Sequence, residues 1–169
     1  MAGVSFDDVY ANHFEFVWRC LRSLGVSPDL LDDAAQDVFV IVHRQLAGFR
    51  GESSLPTWLF GITRNVASNY RRGAGRKQAP LVPLGDDAVH PGPGPIEHAQ
   101  DQQAAAFVQG FMAALDEDKR ALFFLAVLEE VTIPEVAGAL GIPLNTVYTR
   151  VRRLRLEFQQ ALARRETAA

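Results

Sequence analysis

Between Asn145 and Arg165 the chain carries six arginines (Arg150, Arg152, Arg153, Arg155, Arg164 and Arg165) against one acid, Glu157. Guanidinium groups at that density suit phosphate oxygens, or guanine edges in a bidentate fork. A second group of residues mixes rings, amides and cations: Trp58, Phe60, Arg64, Asn65, Asn69 and Arg71. Rings of this kind stack on unpaired bases, for about 1–3 kcal/mol each. Both groups point to recognition of an anionic polymer and not to bond making. The histidines, His13, His43, His90 and His98, are scattered, and His13 falls on an apolar helical stripe, a structural position. No glycine-rich phosphate loop, metal-ligand spacing or nucleophile elbow is present, so an enzyme is the least favoured class and neither metal nor cofactor is expected.

The elements that must position these groups read as helices. Phe6, Val9, Tyr10, His13, Phe14, Val17, Leu21 and Leu24 recur at helical spacing, with Ser5 as N-cap and Gly25 past the end. Ser27-Pro28 opens a second helix to about Ala47, and Gly48 ends it. A third runs from about Leu55 to Arg72, with Leu55, Leu59, Ile62 and Val66 on its core stripe. Phe60, Arg64 and Arg71 point roughly opposite, while Trp58, Asn65 and Asn69 border the stripe. Ahead of this helix, Arg50-Gly51-Glu52-Ser53-Ser54 offers hydroxyls and a carboxylate that suit a pocket for a flipped base; Ser54 is also a natural N-cap.

From Gly73 to about Glu97 the character changes, and five of the nine prolines lie between Pro80 and Pro95. Such a stretch, about 30 residues, is too long for a structureless loop in one compact domain. The expected organisation is all-α: a helical bundle over 5–74, a flexible linker over 75–102 and a second helical domain over 103–166. Apolar residues make up 48% of the 169, enough for a buried core. The net charge of −3 hides segregation, because acids gather at Asp29, Asp32, Asp33 and Asp37 and again at Asp116 to Asp118. Cys20 is the only cysteine, and no signal peptide or bilayer-length apolar run is evident, which suggests a cytoplasmic protein with no membrane insertion.

The end of the second half has the anatomy of a helix-turn-helix. Small Ala137 permits a close helix crossing, Gly141 a left-handed turn, and Val136, Leu140, Ile142, Val147 and Val151 plug the junction. The second helix is expected from about Thr146 to Arg164, with Asn145 as N-cap. Its outward face carries Asn145, Thr149, Arg152 and Arg153, flanked by Thr146 and Tyr148. A recognition helix of this design enters the major groove by its N-terminal end.

With these residues in place, the chain resembles an extracytoplasmic-function RNA polymerase sigma factor of the sigma-70 superfamily. The first domain is similar to sigma region 2 through Asp33-Ala34-Ala35-Gln36-Asp37-Val38-Phe39, Phe49-Arg50-Gly51, Thr57-Trp58-Leu59 and Arg64-Asn65. The second is similar to region 4 through Glu135-Val136-Ala137, Leu140-Gly141-Ile142-Pro143 and Thr146-Val147 with Arg150 and Arg153. The resemblance implies that Asp33, Gln36 and Asp37, with Phe39 and Val40, dock on the β′ clamp helices of core RNA polymerase, which also offers its β subunit. It implies that Arg50 to Ser54, with Trp58, Arg64, Asn65 and Asn69, open and hold the minus-ten element of promoter DNA. It assigns Asn145 to Arg153 to the minus-thirty-five element as duplex. The sequence departs from the family pattern at Asn145 (usually Gly), Tyr148 (usually Lys or similar), Asp116 (commonly Pro) and Glu130 (usually Gly). An anti-sigma factor is a typical partner of the family, although nothing in the sequence marks one.

Two rival readings remain beside this one: a sigma-like module that binds an anti-sigma factor without recognising DNA, and a helix-turn-helix regulator with an N-terminal sensor domain. The first would not need Asn145, Thr149, Arg152 and Arg153 outward or Phe60 among arginines, and the second leaves the basic-aromatic surface of the first domain unexplained. A flexible chain of about 30 residues has an r.m.s. span near ~30 Å and an extended limit of about 100 Å. Promoter elements two turns apart lie about 70 Å from each other. The linker reaches that far but cannot fix the distance, so a third body, core polymerase, must set it. The isolated chain is therefore expected to bind promoter DNA weakly in a mobility-shift titration.

Overall fold

The computed structural model describes residues 3–73 and 99–169, so most of the linker assigned to 75–102 lies outside the described residues. Seven α-helices are described. In the first half they are α1 (Phe6–Ser23), α2 (Leu31–Gln45) and α3 (Leu55–Arg71). In the second they are α4 (Ala99–Ala114), α5 (Glu117–Phe123), α6 (Ile133–Leu140) and α7 (Leu144–Ala168). The helix expected from Pro28 to Ala47 resolves into α2 with a 3-10 turn on either side, Pro28–Leu30 and Leu46–Gly48. The last residues given to the linker, from Ala99, are already helical.

Capping chemistry sets the helix starts. Ser5 accepts from the Asp8 N–H at 3.3 Å, Ser54 from Thr57 at 3.4 Å and Asp116 from Lys119 at 2.9 Å, each satisfying an orphan donor of the first turn. The α7 start corrects the sequence expectation. The helix begins at Leu144 with Pro143 in the cap position, so Asn145 lies inside the first turn and is not the N-cap. Pro143 is extended there, at φ −56 and ψ 140, and supplies no side-chain cap, while its carbonyl accepts from the Val147 N–H at 3.1 Å. Gly141 ends α6 in the left-handed region, at φ 64 and ψ 33, a conformation that costs other L-residues about 1–2 kcal/mol.

The first half is a three-helix bundle. Val17, Cys20, Leu21, Ala34, Val38, Val42, Leu59 and Val66 form its centre. Burial pushes the Cys20 thiol pKa well up, which makes it an inert core residue. In the second half Phe111, Phe123 and Phe158 meet at 5.0–5.2 Å between ring centroids and tie α4, α5 and α7 together. Arg120 donates to the carbonyls of Met112 (2.9 Å), Leu115 (2.9 Å) and Ala113 (3.4 Å), closing the end of α4.

The two halves share one core. A π-helical turn, Phe124–Leu128, follows α5, and Phe124 sits between Phe16 of α1 (5.8 Å) and Phe60 of α3 (6.4 Å, 19° between rings). Helix α3 is thus buried on two faces, one against α1 and α2 and the other against the second half. Behind the π turn Glu130 takes a positive φ of 53, the one described non-glycine residue to do so.

The Asp116 cap carries a pH signature. Its folded pKa is lowered below the ordinary 3.8, first by the Lys119 N–H it accepts. Its contribution is therefore present above 3.8 and is lost as pH falls through the lower folded value. Asp116→Ala is expected to cost about 1 kcal/mol at neutral pH in urea unfolding, with the gap to the parent closing in acid.

Candidate nucleic-acid interface

Helix α7 presents most of its expected recognition residues. Asn145, Tyr148, Thr149, Arg150, Arg152 and Arg153 are exposed and Thr146 is half-buried, while Val147, Val151 and Leu154 seal the opposite face. Thr149 donates its hydroxyl to the Asn145 carbonyl at 3.0 Å, so that oxygen faces any ligand as an acceptor only. Arg153 pairs with Glu157 at 3.0 Å, an i,i+4 contact with the arginine side chain 79% exposed; such a pair is worth only ~0.3–0.5 kcal/mol and yields readily to a phosphate. Arg150 lines a cleft together with Asp116, Asp118, Lys119 and Arg153.

The residues of α3 divide into two sets. Arg50, Gly51, Glu52, Asn65 and Asn69 are exposed, and Ser53, Ser54 and Trp58 are half-buried. The Trp58 ring packs on Phe49 at 5.0 Å, which pins the Arg50–Ser54 loop to the side of the helix that carries Asn65 and Asn69. Ser54 donates to the Thr57 hydroxyl at 2.9 Å and is spent on the cap.

The other set is turned inward. Phe60, expected to stack on bases, is 1% exposed and faces Phe124, so its ring is core and not a base platform in this arrangement. Arg64 meets Asp118 at 3.2 Å and Glu117 at 3.7 Å, and Arg71 meets Glu117 at 3.2 Å. Their charges are answered by carboxylates of the chain itself. The physical reason is helical phase. Phe60, Arg64 and Arg71 fall about 100–180° from Trp58, Asn65 and Asn69, so one neighbouring surface cannot meet both sets. On the α1 side Arg19 grips Glu129 with two bonds, at 3.0 and 3.1 Å.

The set on α2 expected to dock on the polymerase also divides. Asp33 and Gln36 are exposed and Val40 is half-buried. Phe39, expected to contact the partner, is instead 3% exposed within a cluster of Phe6, Tyr10 and Phe14. Asp37 accepts from the Tyr70 hydroxyl, and burial together with that carboxylate pushes the phenol pKa far up. Asp37 therefore ties α2 to α3. Sequence reasoning missed Glu117, Asp118, Phe124 and Glu129. The available signal was an acidic run at Asp116 to Asp118 matching two arginines on the same face of α3 as an apolar ring.

A family model for sigma-70 region 2 matches residues 9–77, and one for sigma-70 region 4 matches residues 108–158. The ECF RNA polymerase sigma factor SigE of Mycolicibacterium smegmatis is 28% identical over 163 residues, covering 95% of this chain and 62% of that protein. The chain thus spans less than two thirds of that relative's length. The ECF RNA polymerase sigma factor SigM of Mycobacterium tuberculosis is 27% identical over 158 residues, covering 94% of this chain and 77% of that protein. Among solved structures, the sigma factor RpoE of Bartonella quintana, in complex with the anti-sigma factor NepR, superposes with a TM-score of 0.67 at 24% identity. That match covers 94% of this chain and 96% of the other.

The ion pairs of the seam are partly exposed and worth about 0.2–1 kcal/mol each, whereas burying one phenylalanine contributes about 1.5–3 kcal/mol. Apolar contact therefore holds the halves together and the charges set their register. Glu117→Lys with Asp118→Lys is expected to cost about 1–2 kcal/mol and to raise the radius of gyration in X-ray scattering without loss of helix signal. Adding Arg64→Glu and Arg71→Glu is expected to restore the compact form.

Proposed function

The chain belongs to the sigma-70 family, in its ECF branch, and from that membership we propose that it binds core RNA polymerase and directs it to promoters. The observation that carries the reading is the helix-turn-helix whose second helix leaves Asn145, Tyr148, Thr149, Arg152 and Arg153 open to solvent beside a sealed apolar face. These residues read the minus-thirty-five element as duplex, the arginines serving phosphates and guanine edges. The Arg50–Ser54 loop, with Trp58, Asn65 and Asn69, holds the minus-ten element. Asp33 and Gln36, on the exposed side of α2, dock on the β′ clamp helices. Catalysis lies with the polymerase, in the cytoplasm; among the described residues no helix is long and apolar enough to cross a membrane.

Size gives the mechanism. A compact chain of 169 residues has a radius of gyration of about 15 Å and is roughly 40 Å across. Two promoter elements about 70 Å apart exceed that span. The closed form cannot read both elements, so the seam at Phe60, Arg64, Glu117 and Phe124 opens when core polymerase takes hold of each half. Opening also frees Arg64 and Arg71 for the minus-ten strand.

One observation favours a protein partner as well. A groove of about 390 Å³ between α1 and α4 is lined by Trp18, Arg22, Val108, Gln109, Phe124 and Leu128. The Trp18 indole N–H is buried without an acceptor among the described residues, so a carbonyl from a partner would satisfy it. RpoE of Bartonella quintana was solved with an anti-sigma factor, and a partner of that class fits this place.

Run-off transcription on a genomic library is expected to give discrete transcripts only when core polymerase and this chain are both present. Arg152→Ala with Arg153→Ala is expected to lower their yield roughly tenfold or more while leaving core binding intact. Core binding without any such transcript would leave the module that recognises no DNA as the better account.

A further inference from the structure

Three of the five exposed large apolar residues among those described lie on α7: Leu144 (44%), Tyr148 (54%) and Leu156. Scattered apolar residues on a surface call for no explanation. Leu144 and Tyr148 are not scattered. They stand four residues apart, about 40° from each other around the helix, and form a short strip along its first turn. Their neighbours Ile142 and Val147 turn the other way, half-buried and fully buried, to plug the junction with α6. Asn145 and Arg152 lie within about 40–100° of this strip on the outward side. An apolar strip thus runs beside the polar and cationic groups that the proposed function assigns to the major groove.

We propose that Leu144 and Tyr148 select thymine in the minus-thirty-five element by packing against its C5-methyl group. The inference rests on the promoter-binding reading and names a base that the arginines and Asn145 leave open. Its warrant is the inventory of the groove. Among the base edges that B-DNA displays there, the thymine methyl is the one apolar group larger than a ring C–H; the other prominent groups are hydrogen-bond donors or acceptors. An apolar side chain carried into the groove among arginines has that one complement. Against any other base it would cover polar atoms and offer no partner in return. The Tyr148 ring does the packing, and its hydroxyl is not needed. Burying a methyl of this size is expected to be worth about a fourfold preference for each one contacted.

The test uses the holoenzyme, assembled from core polymerase and the full chain, on a promoter selected from a randomised library by run-off transcription. Each thymine of the selected minus-thirty-five element is replaced in turn by deoxyuridine, which removes the methyl and leaves every hydrogen-bonding group. Transcription is expected to fall about fourfold at one or two positions. Tyr148→Ala or Leu144→Ala should abolish the thymine-to-uracil ratio at its own position, and Tyr148→Phe should keep it. An unchanged yield at every substituted thymine would overturn the proposal, as would an equal ratio in parent and variants. So would a loss of core binding in Tyr148→Ala with the ratio preserved, because the strip would then be a protein contact. If no library member gives a core-dependent transcript, the promoter reading itself fails and takes this proposal with it.

Discussion

The stacking of Phe60 on Phe124 is the contact on which the arrangement of the molecule depends. It joins α3 of the first bundle to the π-helical turn of the second half, with Phe16 on its other side. Two buried rings contribute about 3–6 kcal/mol between them, a large part of the marginal stability of a small domain. The partly exposed ion pairs from Arg64 and Arg71 to Glu117 and Asp118 add less, but they fix which faces meet. The π turn is part of the same device. It forms the N–H bonds from Glu129 to Phe124 and from Val131 to Leu125, both at 2.9 Å, and it leads into the carboxylate that Arg19 grips.

That seam treats the two cationic surfaces unequally. Helix α7 keeps its polar face in solvent, so the surface proposed to read duplex is already open in the closed form. On α3 Arg64 and Arg71 are paired with the chain's own acids, while Asn65 and Asn69, on the loop side, stay exposed. An acidic segment that answers these cations would compete with phosphate by the same Coulomb attraction. The net charge of −3 is then no argument against nucleic acid, because part of the acid count is spent inside the molecule.

Rigidity and adaptability are placed to match. The helix-turn-helix is held by a left-handed Gly141, by Val136 and Val147, both buried, and by the proline-capped start of α7, all of which fix the angle at which the helix is presented. Asp37 and Tyr70 lock α2 to α3 beside the surface proposed to meet the polymerase. The contacts between the halves are fewer and include exposed charges, so this boundary is where the molecule yields first.

The sequence by itself determined most of the helices and several of their ends. Ser5, Ser54 and Gly141 act through neighbours within a few residues, so local chemistry is enough to place them. It also determined the helix-turn-helix and its outward face, because one helix with one apolar stripe has only one way to be buried. The tertiary structure alone decided the fate of Phe60, Arg64, Arg71 and Phe39. A helix with apolar residues on two faces can be covered twice, and periodicity cannot say whether the second cover is DNA, a partner or a distant part of the same chain. The position of Asn145 inside α7 was likewise settled by Pro143, whose fixed φ begins the helix earlier than a side-chain cap would. What lies more than a hundred residues apart, as Arg19 and Glu129 do, leaves no spacing to read.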